Sequence, residues 1–425
     1  AGNYAIPNIE TAAKAVITNT TPTEAYRGAG RPEATVSIER AMDIFAAEIG
    51  MDPIDLRRKN FITEFPHDTG LGSTYDSGDY GGALDKAIEA ADLDSLRAEQ
   101  ARRRDAGDTK QLGIGVIAYV EITAGPAPGG NEFAKVAIGA DGKATVYSGA
   151  FSHGQSHATT FAQIAADQLG MGIDDVEIIQ GNTDLVSQGV GTFGSRSTQL
   201  GGSAVHVAAG EVVDKAKQIA ADLLEASADD IVVDADQGAF HVAGTPAVTK
   251  TWADVAAAAD EPLEAEQDFN AQCSFPFGAH VAVVEVDTET GDVRLQRHIT
   301  CDDSGSLINP MIVEGQRHGG IAQGVAQALY EEVRYDEDGN PVTSNFADYG
   351  IISMAELPSF ELVPLETASP NNPLGAKGIG ESGAIGSTPA VQSAVVDALA
   401  PMGIRHIDLP MTPERVWRAI QDAQG

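Results

Sequence analysis

The segment Asn372-Pro-Leu-Gly-Ala-Lys-Gly-Ile-Gly-Glu-Ser-Gly383 places one acid, Glu381, in a loop too rich in glycine to be an ordinary helix or strand. Its glycines permit positive φ and let backbone amide groups turn toward an anion such as a phosphate. Lys377 adds a cation. Desolvation raises the pKa of a carboxylate in a partly dry pocket, which suits a glutamate to general-base work near neutral pH. The segment predicts a ligand site; the alternative is a tight turn before a helix over Thr388–Ala400.

Length and composition limit the classes of protein to consider. The chain has 425 residues, enough for two or three packed domains. No apolar run or basic N-terminal region predicts a membrane span or a signal peptide, so a cytoplasmic location is the default. Cys273 and Cys301 are too few to ligate an iron–sulfur cluster or to form a disulfide framework. The formal net charge of −35 argues against nucleic acid and anionic membranes as partners.

The periodicity of apolar residues divides the chain into helical and extended regions. It predicts helices over 33–49, 53–60, 79–104, 158–169, 210–225 and 313–330, and strands over 114–121, 132–138, 144–148, 176–180, 279–286 and 293–299. Residues 256–267 are predicted to form an exposed acidic connector. A hairpin followed by a helix occurs twice. We therefore predict an α+β fold with mixed sheets and packed helices, in which two similar modules enclose a cofactor cleft.

The predicted domains follow from this repeat. Residues 1–112 form a helical part of a domain that begins upstream, because the opening residues have no start methionine, cap or leading strand. Residues 113–265 form the first cofactor-binding module. Residues 266–425 form the second, which carries the catalytic loop.

Four glycine-containing loops bear hydrogen-bonding side chains. They are Ala25-Tyr-Arg-Gly-Ala-Gly-Arg-Pro-Glu33, His153-Gly-Gln-Ser-His157, Gly191-Thr-Phe-Gly-Ser-Arg-Ser-Thr198 and Gly375–Gly383. None has the spacing of a P-loop or of a strand-linked dinucleotide fingerprint, so an NAD-binding dehydrogenase is a weak alternative. The hydroxyls, amides and guanidinium of residues 194–198 suit phosphate oxygens.

With these loops in this order, the whole chain resembles the C-terminal part of the molybdenum-cofactor-binding large subunit of the xanthine dehydrogenase, aldehyde oxidoreductase and aerobic carbon monoxide dehydrogenase family. The phrases Asp302–Pro310 and Glu314–Gly320 belong to the same resemblance. The upstream part of the family pattern is absent. The resemblance thus implies either a large subunit split between two chains or a fragment.

The resemblance assigns roles to individual residues. Glu381 is the implied base, which takes a proton while oxygen from water is transferred to an electron-poor carbon. The implied substrate and molybdenum side is formed by Arg27, Gly28 and Ala29. The implied cofactor contacts are Gln155, Ser156, His157, Gly194, Ser195, Arg196, Ser197, Thr198, Gln316, Lys377, Gly378 and Gly380. Molybdenum is held by the pterin, in a molybdopterin that is a cytosine dinucleotide by analogy with bacterial relatives. Two alternatives are a core position for His157 and a structural pairing of Arg27 with Glu33 or Glu24.

Gly28 discriminates between two activities of this family. Carbon monoxide dehydrogenases that resemble this chain carry a cysteine after the Tyr-Arg pair, and its sulfur binds copper. Here that position is Gly28, which has no thiolate to bind the metal. The resemblance therefore implies a molybdenum hydroxylase that oxidises an aldehyde or N-heteroaromatic. The alternatives are an aerobic carbon monoxide dehydrogenase with another copper ligand and a metal-free scaffold of the same fold.

The implied partners follow from electron counting. Two electrons that reach molybdenum must leave one at a time, and the cysteines of this chain cannot form the clusters that pass them on. We expect partner subunits that carry 2Fe-2S clusters and FAD, and a separate chain for the upstream half if the large subunit is split.

Overall fold

A computed structural model describes residues 2–124, 130–235 and 237–425. Its helices are α1 Arg31–Ile49, α2 Pro53–Asn60, α3 Tyr80–Ala91, α4 Leu93–Ala106, α5 His157–Leu169, α6 Ser203–Leu224, α7 Trp252–Ala258, α8 Pro310–Leu329, α9 Ser382–Leu399 and α10 Pro413–Gln424. Its strands are β1 His67–Asp68, β2 Thr74–Tyr75, β3 Lys110–Val120, β4 Asn131–Ile138, β5 Ala144–Ser148, β6 Val176–Gln180, β7 Ile231–Asp234, β8 Ala239–Val242, β9 Thr245–Thr251, β10 Glu264–Asn270, β11 Phe277–Asp287, β12 Val293–Asp303 and β13 Glu361–Leu365.

Two four-stranded sheets share one topology. One has the order β10-β4-β5-β6 and the other β3-β11-β12-β13. In each, an antiparallel hairpin (β4–β5 or β11–β12) is followed by a helix (α5 or α8) and by a strand parallel to the second hairpin strand. The predicted repeat and the mixed α+β fold class are confirmed.

Packing of helices on these sheets forms the cores. Helix α6 lies on the first sheet with α5, while α9 lies on β3 and β11 and contacts α8. The approach of α9 depends on Gly115 in β3, because a Cβ there would lie 2.0 Å from the carbonyl oxygen of Ala390. Close packing of this kind fixes the position of α9, which begins directly after Glu381.

Most predicted elements are confirmed, and three differ. The single helical region over 79–104 is two helices that meet at Asp92, which has a left-handed φ of 52°. The helix predicted over 210–225 begins earlier, at Ser203, after a π-helix over Ser197–Gly202. The acidic connector predicted over 256–267 is wrong, because β10 begins at Glu264 and pairs with β4. The acidic composition suggested that the backbone of this segment is solvated. Its backbone groups instead form hydrogen bonds with the neighbouring strand.

The strand predicted to open the first module lies in the second sheet. Strand β3 pairs along its length with β11, from Lys110↔Asp287 to Val120↔Phe277. The first sheet is completed instead by β10, from beyond the middle of the chain. The two sheets therefore exchange strands across the proposed boundaries at 112 and 265, and the cleft lies where their connecting loops meet.

None of the helices in the described ranges combines the length and apolar character that crossing a membrane requires.

Candidate functional site

The four glycine-containing loops line one cleft of about 570 Å³. Each loop precedes a helix: Arg27 lies before α1, Gln155 before α5, Gly194 before the π-helix and α6, and Gly380 before α9. The segment 304–309, which precedes α8, also lines the cleft. Helix N-termini present unpaired N–H groups and a partial positive charge. Their convergence suits a large ligand that carries phosphate groups.

Glu381 is held at the edge of this cleft by groups from two other loops. Its Oε1 accepts a hydrogen bond of 3.1 Å from the backbone N–H of Gly28. Its Oε2 lies 3.1 Å from the Oγ of Ser195, which also accepts the Glu381 backbone N–H at 3.1 Å. The side chain is partly exposed to the cleft. These contacts fix the orientation of a carboxylate that can still reach a ligand, as a general base requires.

Arg27 connects the first loop to the catalytic loop. Its Nε donates to the carbonyl oxygen of Gly380 at 2.5 Å, and its Nη2 donates to the side-chain Oε1 of Gln316 at 3.2 Å. Its Nη1 donates to Gln323 at 2.9 Å. Burial lowers the pKa of the Arg27 guanidinium, and the charge of Glu381 opposes that shift. These contacts of Arg27 do not include the alternative pairing with Glu33 or Glu24.

Arg196 has a structural partner inside the protein. Its guanidinium is 3% exposed and forms an ion pair with Glu132, with 2.5 Å between Nη1 and Oε2. It also donates to the backbone oxygens of Asn131 and Gly191. The expected role of this guanidinium as a phosphate ligand is corrected accordingly: a buried charge needs a partner, and Glu132 supplies it. The hydroxyl groups and backbone of residues 194–198 still line the cleft.

The ammonium group of Lys377 also turns away from the expected anion. It lies 2.9 Å from Asp303 Oδ1, both side chains are fully buried, and it stands over the ring of Phe277 at 5.0 Å. The expectation that this cation faces a ligand is therefore corrected. Its backbone N–H donates to the Ser304 oxygen at 2.7 Å, so Lys377 anchors the catalytic loop to the segment that precedes α8.

The loop before α5 contributes Gln155 and His157. The Gln155 Oε1 accepts the His153 backbone N–H at 2.7 Å. His157 is 4% exposed, stacks on Phe161 with 5.3 Å between centroids, and lines the cleft. Burial lowers its pKa to about 4, so its imidazole is neutral at pH 7. His157 is thus a core histidine that also forms one wall of the cleft, and its contact with a cofactor stays a prediction.

Ser156 occupies a position that favours glycine. Its φ of 59° lies in the left-handed region, which costs an L-residue roughly 1–2 kcal/mol. Glycine removes this cost but adds about 0.4–1 kcal/mol of entropy to the unfolded chain. We expect Ser156→Gly to raise the free energy of unfolding by about 0.5–1 kcal/mol, measured by chemical denaturation. Ser156→Ala keeps the Cβ and serves as the control; an equal gain in that variant contradicts backbone strain as the cause.

Glycines in the cleft serve two different purposes. A Cβ at Gly378 would lie 2.0 Å from the Ser195 carbonyl oxygen, so this glycine permits contact between two protein loops. A Cβ at Gly380 would lie 3.4 Å from Ser195 Oγ. By contrast, no atom of the described residues lies within 4 Å of a Cβ built at Gly154 or Gly194. Those two positions leave open space on the cleft side for a ligand.

The predicted molybdenum-side residues are only partly brought together. Arg27 lines the cleft. Gly28 is buried behind it and contributes its N–H to Glu381. Ala29 is exposed, has a φ of 48°, and is not among the described residues that line the cleft. The contact of Ala29 with substrate therefore stays a prediction.

Two residues that contact predicted site residues were not themselves predicted. Gln323 lines the cleft and binds Arg27. Glu121 lies behind Ser195, 1% exposed, with 2.8 Å between its Oε1 and Ser195 Oγ. The signal for Glu121 was a single acid at the end of an apolar strand, where a charge is costly unless it has a function or a partner.

The donor set fits a molybdopterin. The His157 Nδ1 is buried and has no hydrogen-bond partner within the described protein, while open glycine positions and helix N-termini surround the cleft. A ligand with hydrogen-bonding groups and phosphates can use these features. Among the described residues, no group of three or more His, Cys, Asp or Glu side chains is arranged to hold a metal ion.

Comparison with known proteins identifies the family. The family described as "Molybdopterin cofactor-binding domain" matches residues 86–358, and a second family with the same description matches residues 1–61. The chain is 38% identical over 443 residues to the carbon monoxide dehydrogenase large chain of Hydrogenophaga pseudoflava, covering 99% of this chain and 55% of that protein. It is 37% identical over 440 residues to the 6-hydroxypseudooxynicotine dehydrogenase complex subunit gamma of Paenarthrobacter nicotinovorans, covering 99% and 54%.

A solved structure agrees with these sequence relationships. The crystal structure of quinoline 2-oxidoreductase from Pseudomonas putida 86 matches with a TM-score of 0.86 and 38% identity, over 94% of this chain and 53% of that chain. The chain spans about half the length of the curated relatives that it matches. The resemblance seen in the four loops is confirmed: the chain belongs to the molybdopterin cofactor-binding family, with the large subunits of the xanthine dehydrogenase, aldehyde oxidoreductase and carbon monoxide dehydrogenase group.

Proposed function

We propose that this chain is the catalytic part of a molybdenum hydroxylase, which oxidises an aldehyde or N-heteroaromatic carbon with water as the oxygen source. The observation that carries the proposal is the position of Glu381. Its carboxylate lies at the cleft, directly before α9, with Oε1 bound by the Gly28 N–H and Oε2 beside Ser195. A fixed, partly exposed carboxylate at the edge of a cofactor cleft is suited to remove a proton during oxidation.

The residues of the cleft would hold the cofactor in a defined orientation. Bound there, the molybdenum–molybdopterin cofactor supplies the two-electron oxidation and the transfer of oxygen from water. Gln155 and Gln316 are positioned to contact the pterin, since both side chains line the cleft. The backbone and hydroxyls of residues 194–198 are suited to the phosphates and sugar of a cytosine dinucleotide form. The backbone at Gly378 and Gly380 forms the remaining wall.

The protein supplies charge and proton handling. Glu381 Oε2, beside the hydroxyl of Ser195, is the atom we assign to receive the proton released as oxygen from water is transferred to the substrate carbon. Arg27 places a guanidinium in the same cleft, held by Gly380 and Gln316. Its positive charge stabilises negative charge that develops on an oxygen or ring nitrogen of the substrate. The quinoline and nicotine-derived compounds in the names of two relatives favour an N-heteroaromatic substrate.

The geometry at Gly28 argues against copper-dependent oxidation of carbon monoxide, the activity named for another relative. Gly28 has a φ of 106°, and a Cβ there would lie 2.5 Å from Cδ of Pro32 and 3.1 Å from Cγ1 of Ile385. A thiolate could not occupy this position unless the loop moved. Because the Gly28 N–H also binds Glu381, such a movement would disturb the proposed base.

Elemental analysis of the purified native complex tests the function. We expect molybdenum and iron without stoichiometric copper, since position 28 offers no sulfur ligand. The same preparation should oxidise N-heteroaromatics or aldehydes, with label from isotopic water in the product. Copper equimolar with molybdenum would restore carbon monoxide oxidation, and fully folded complex without molybdenum would indicate a scaffold.

The electron path requires other chains. Of the two cysteines in the sequence, Cys301 is buried, and burial raises the pKa of its thiol to about 12. We infer partner subunits with 2Fe-2S clusters and FAD in a cytoplasmic complex. The subunit designation of a relative supports a heteromeric assembly. Subunit composition of the native complex, with its iron and flavin content, tests this inference.

A further inference from the structure

Glu121 is an acid buried behind the catalytic loop without a cationic partner. Four other buried acids are paired with cations: Glu39 with Arg57, Glu132 with Arg196, Asp302 with Arg317 and Asp303 with Lys377. Asp76, which is also buried, instead accepts hydrogen bonds from the Phe275 N–H and the Ser369 hydroxyl. Among the described residues, no ion pair includes Glu121. An unpaired buried carboxylate is costly when ionised, and the usual outcome is that it holds a proton.

The side chain of Ser195 connects Glu121 to Glu381. Ser195 Oγ lies 2.8 Å from Glu121 Oε1 and 3.1 Å from Glu381 Oε2. Ser382 Oγ donates to Glu121 Oε2 at 2.8 Å. The Ser195 hydroxyl has one hydrogen and two acceptor sites, and one of these sites receives the Glu381 backbone N–H. Ser195 can therefore donate to only one of the two carboxyl groups.

One extra proton completes this hydrogen-bond network. If Glu121 carries it, Glu121 donates to Ser195 Oγ, and Ser195 donates to Glu381 Oε2. Every hydrogen and acceptor at Ser195 is then used. If both acids are ionised, one carboxylate oxygen instead faces a lone pair of Ser195 at hydrogen-bond distance. Glu121 is the better proton holder, because it is 1% exposed, whereas Glu381 is partly solvated and receives the Gly28 N–H.

We propose that Glu121 is a positioning acid, which holds the one proton shared with Glu381 and, through Ser195, keeps Glu381 ionised and correctly oriented as the base. The effect of Glu121 on catalysis rests on the proposed function, but the protonation of Glu121 does not. Ionisation of Glu121 would redirect the Ser195 hydroxyl toward Glu121. Glu381 would then lose a hydrogen bond and face a second negative charge.

The charges around Glu121 agree with this assignment. Burial, followed by the negative charge of Glu381, raises the pKa of Glu121 to about 8. The hydrogen bonds from Ser195 and Ser382 lower it, and so does the charge of Arg31.

Two further ionisable groups lie close to Glu121. These are the guanidinium of Arg27, a cation, and the phenol of Tyr119, which is neutral because burial raises its pKa far above the ordinary value. Neither forms an ion pair or hydrogen bond with Glu121 among the described contacts. They leave the acid without the direct cationic contact that would ionise it.

Thermal unfolding of the purified protein between pH 5 and 9 tests the protonation. In the unfolded chain a glutamate ionises near pH 4.3, whereas folded Glu121 keeps its proton to about pH 8. The folded state therefore binds more protons over this window, and stability falls as pH rises through it. Glu121→Gln removes this loss. We expect the difference in melting temperature, variant minus wild type, to increase by several degrees from pH 5 to pH 8 and to stay constant above pH 8.

Glu132→Gln is the matched control, because it replaces a buried glutamate that has a cationic partner. It leaves Arg196 charged at every pH tested, so we expect a loss of melting temperature that is similar at pH 5 and 8. A Glu121→Gln difference that does not change with pH overturns the proposal. This readout requires no activity, so its failure is distinct from failure of the proposed function.

Infrared spectroscopy of wild-type protein with labelled glutamate gives a second test that needs no variant to fold. We expect a protonated glutamate band at pH 6–7 that disappears above about pH 8 and is absent from Glu121→Gln. Absence of that band in wild type at pH 6 overturns the proposal. In turnover, we expect the alkaline decline of kcat to weaken in Glu121→Gln, since the amide still donates to Ser195. An unchanged alkaline limb contradicts the positioning role.

Discussion

Glu381→Gln is expected to lower kcat by about 10²–10⁴-fold, the usual contribution of a general base. The amide oxygen can still accept the Gly28 N–H, so this contact of the side chain is kept, whereas the amide nitrogen cannot accept the Ser195 hydroxyl. What is lost is the ability to receive a proton. The measurement is steady-state oxidation of an N-heteroaromatic or aldehyde by the complete complex, normalised to its molybdenum content.

The fold and the cofactor content of this variant should remain those of wild type. Glu289→Gln is a suitable control, because Glu289 is exposed in the β11–β12 turn, away from the Phe277 end of β11 that adjoins the catalytic loop. We expect that control to retain wild-type kcat. If Glu381→Gln keeps normal kcat with normal molybdenum content, Glu381 is not the base.

Gly378→Ala should have the second large effect, through the contact between two cleft loops. The added Cβ would lie 2.0 Å from the Ser195 carbonyl oxygen and 2.5 Å from its Cβ, so one loop must move. Overpacking of this kind typically costs about 1–3 kcal/mol of stability. Displacement of Ser195 also shifts the support of Glu381, and a shift of about 1 Å at a reacting group can lower the rate by about 10²-fold. Chemical denaturation, cofactor content and kcat measure these three losses.

Gly81→Ala tests whether any added methyl group has this effect. Gly81 lies in the first turn of α3, and no atom in the described part of the chain is within 4 Å of a Cβ built there. Alanine favours a helix by roughly 1 kcal/mol over glycine, so this control should be neutral or stabilising. Normal stability and activity of Gly378→Ala would mean that the two loops can separate without consequence, contrary to the packing described.

The sequence alone located the loops of the site and the main structural repeat. Glycine content and positions of acids are local properties, and the apolar periods of strands 132–138 and 144–148 and helix 158–169 are local as well. These features predicted a hairpin and a following helix, which are confirmed, and a ligand loop, which lines the cleft. The family resemblance rests on the same local phrases, so it was visible without coordinates.

The tertiary structure decided how the charged groups of the site are used. Lys377 and Arg196 both stood in glycine-rich loops and suggested anion ligands, yet each is buried against an acid distant in sequence, Asp303 or Glu132. In the sequence, Glu121 is an acid at the end of a strand, and only the fold shows that it lies behind Ser195. The strand over 264–270 was hidden by its acidic composition. Sequence determined which groups are available, whereas burial and long-range pairing, which local patterns do not encode, determined which of them face the cleft.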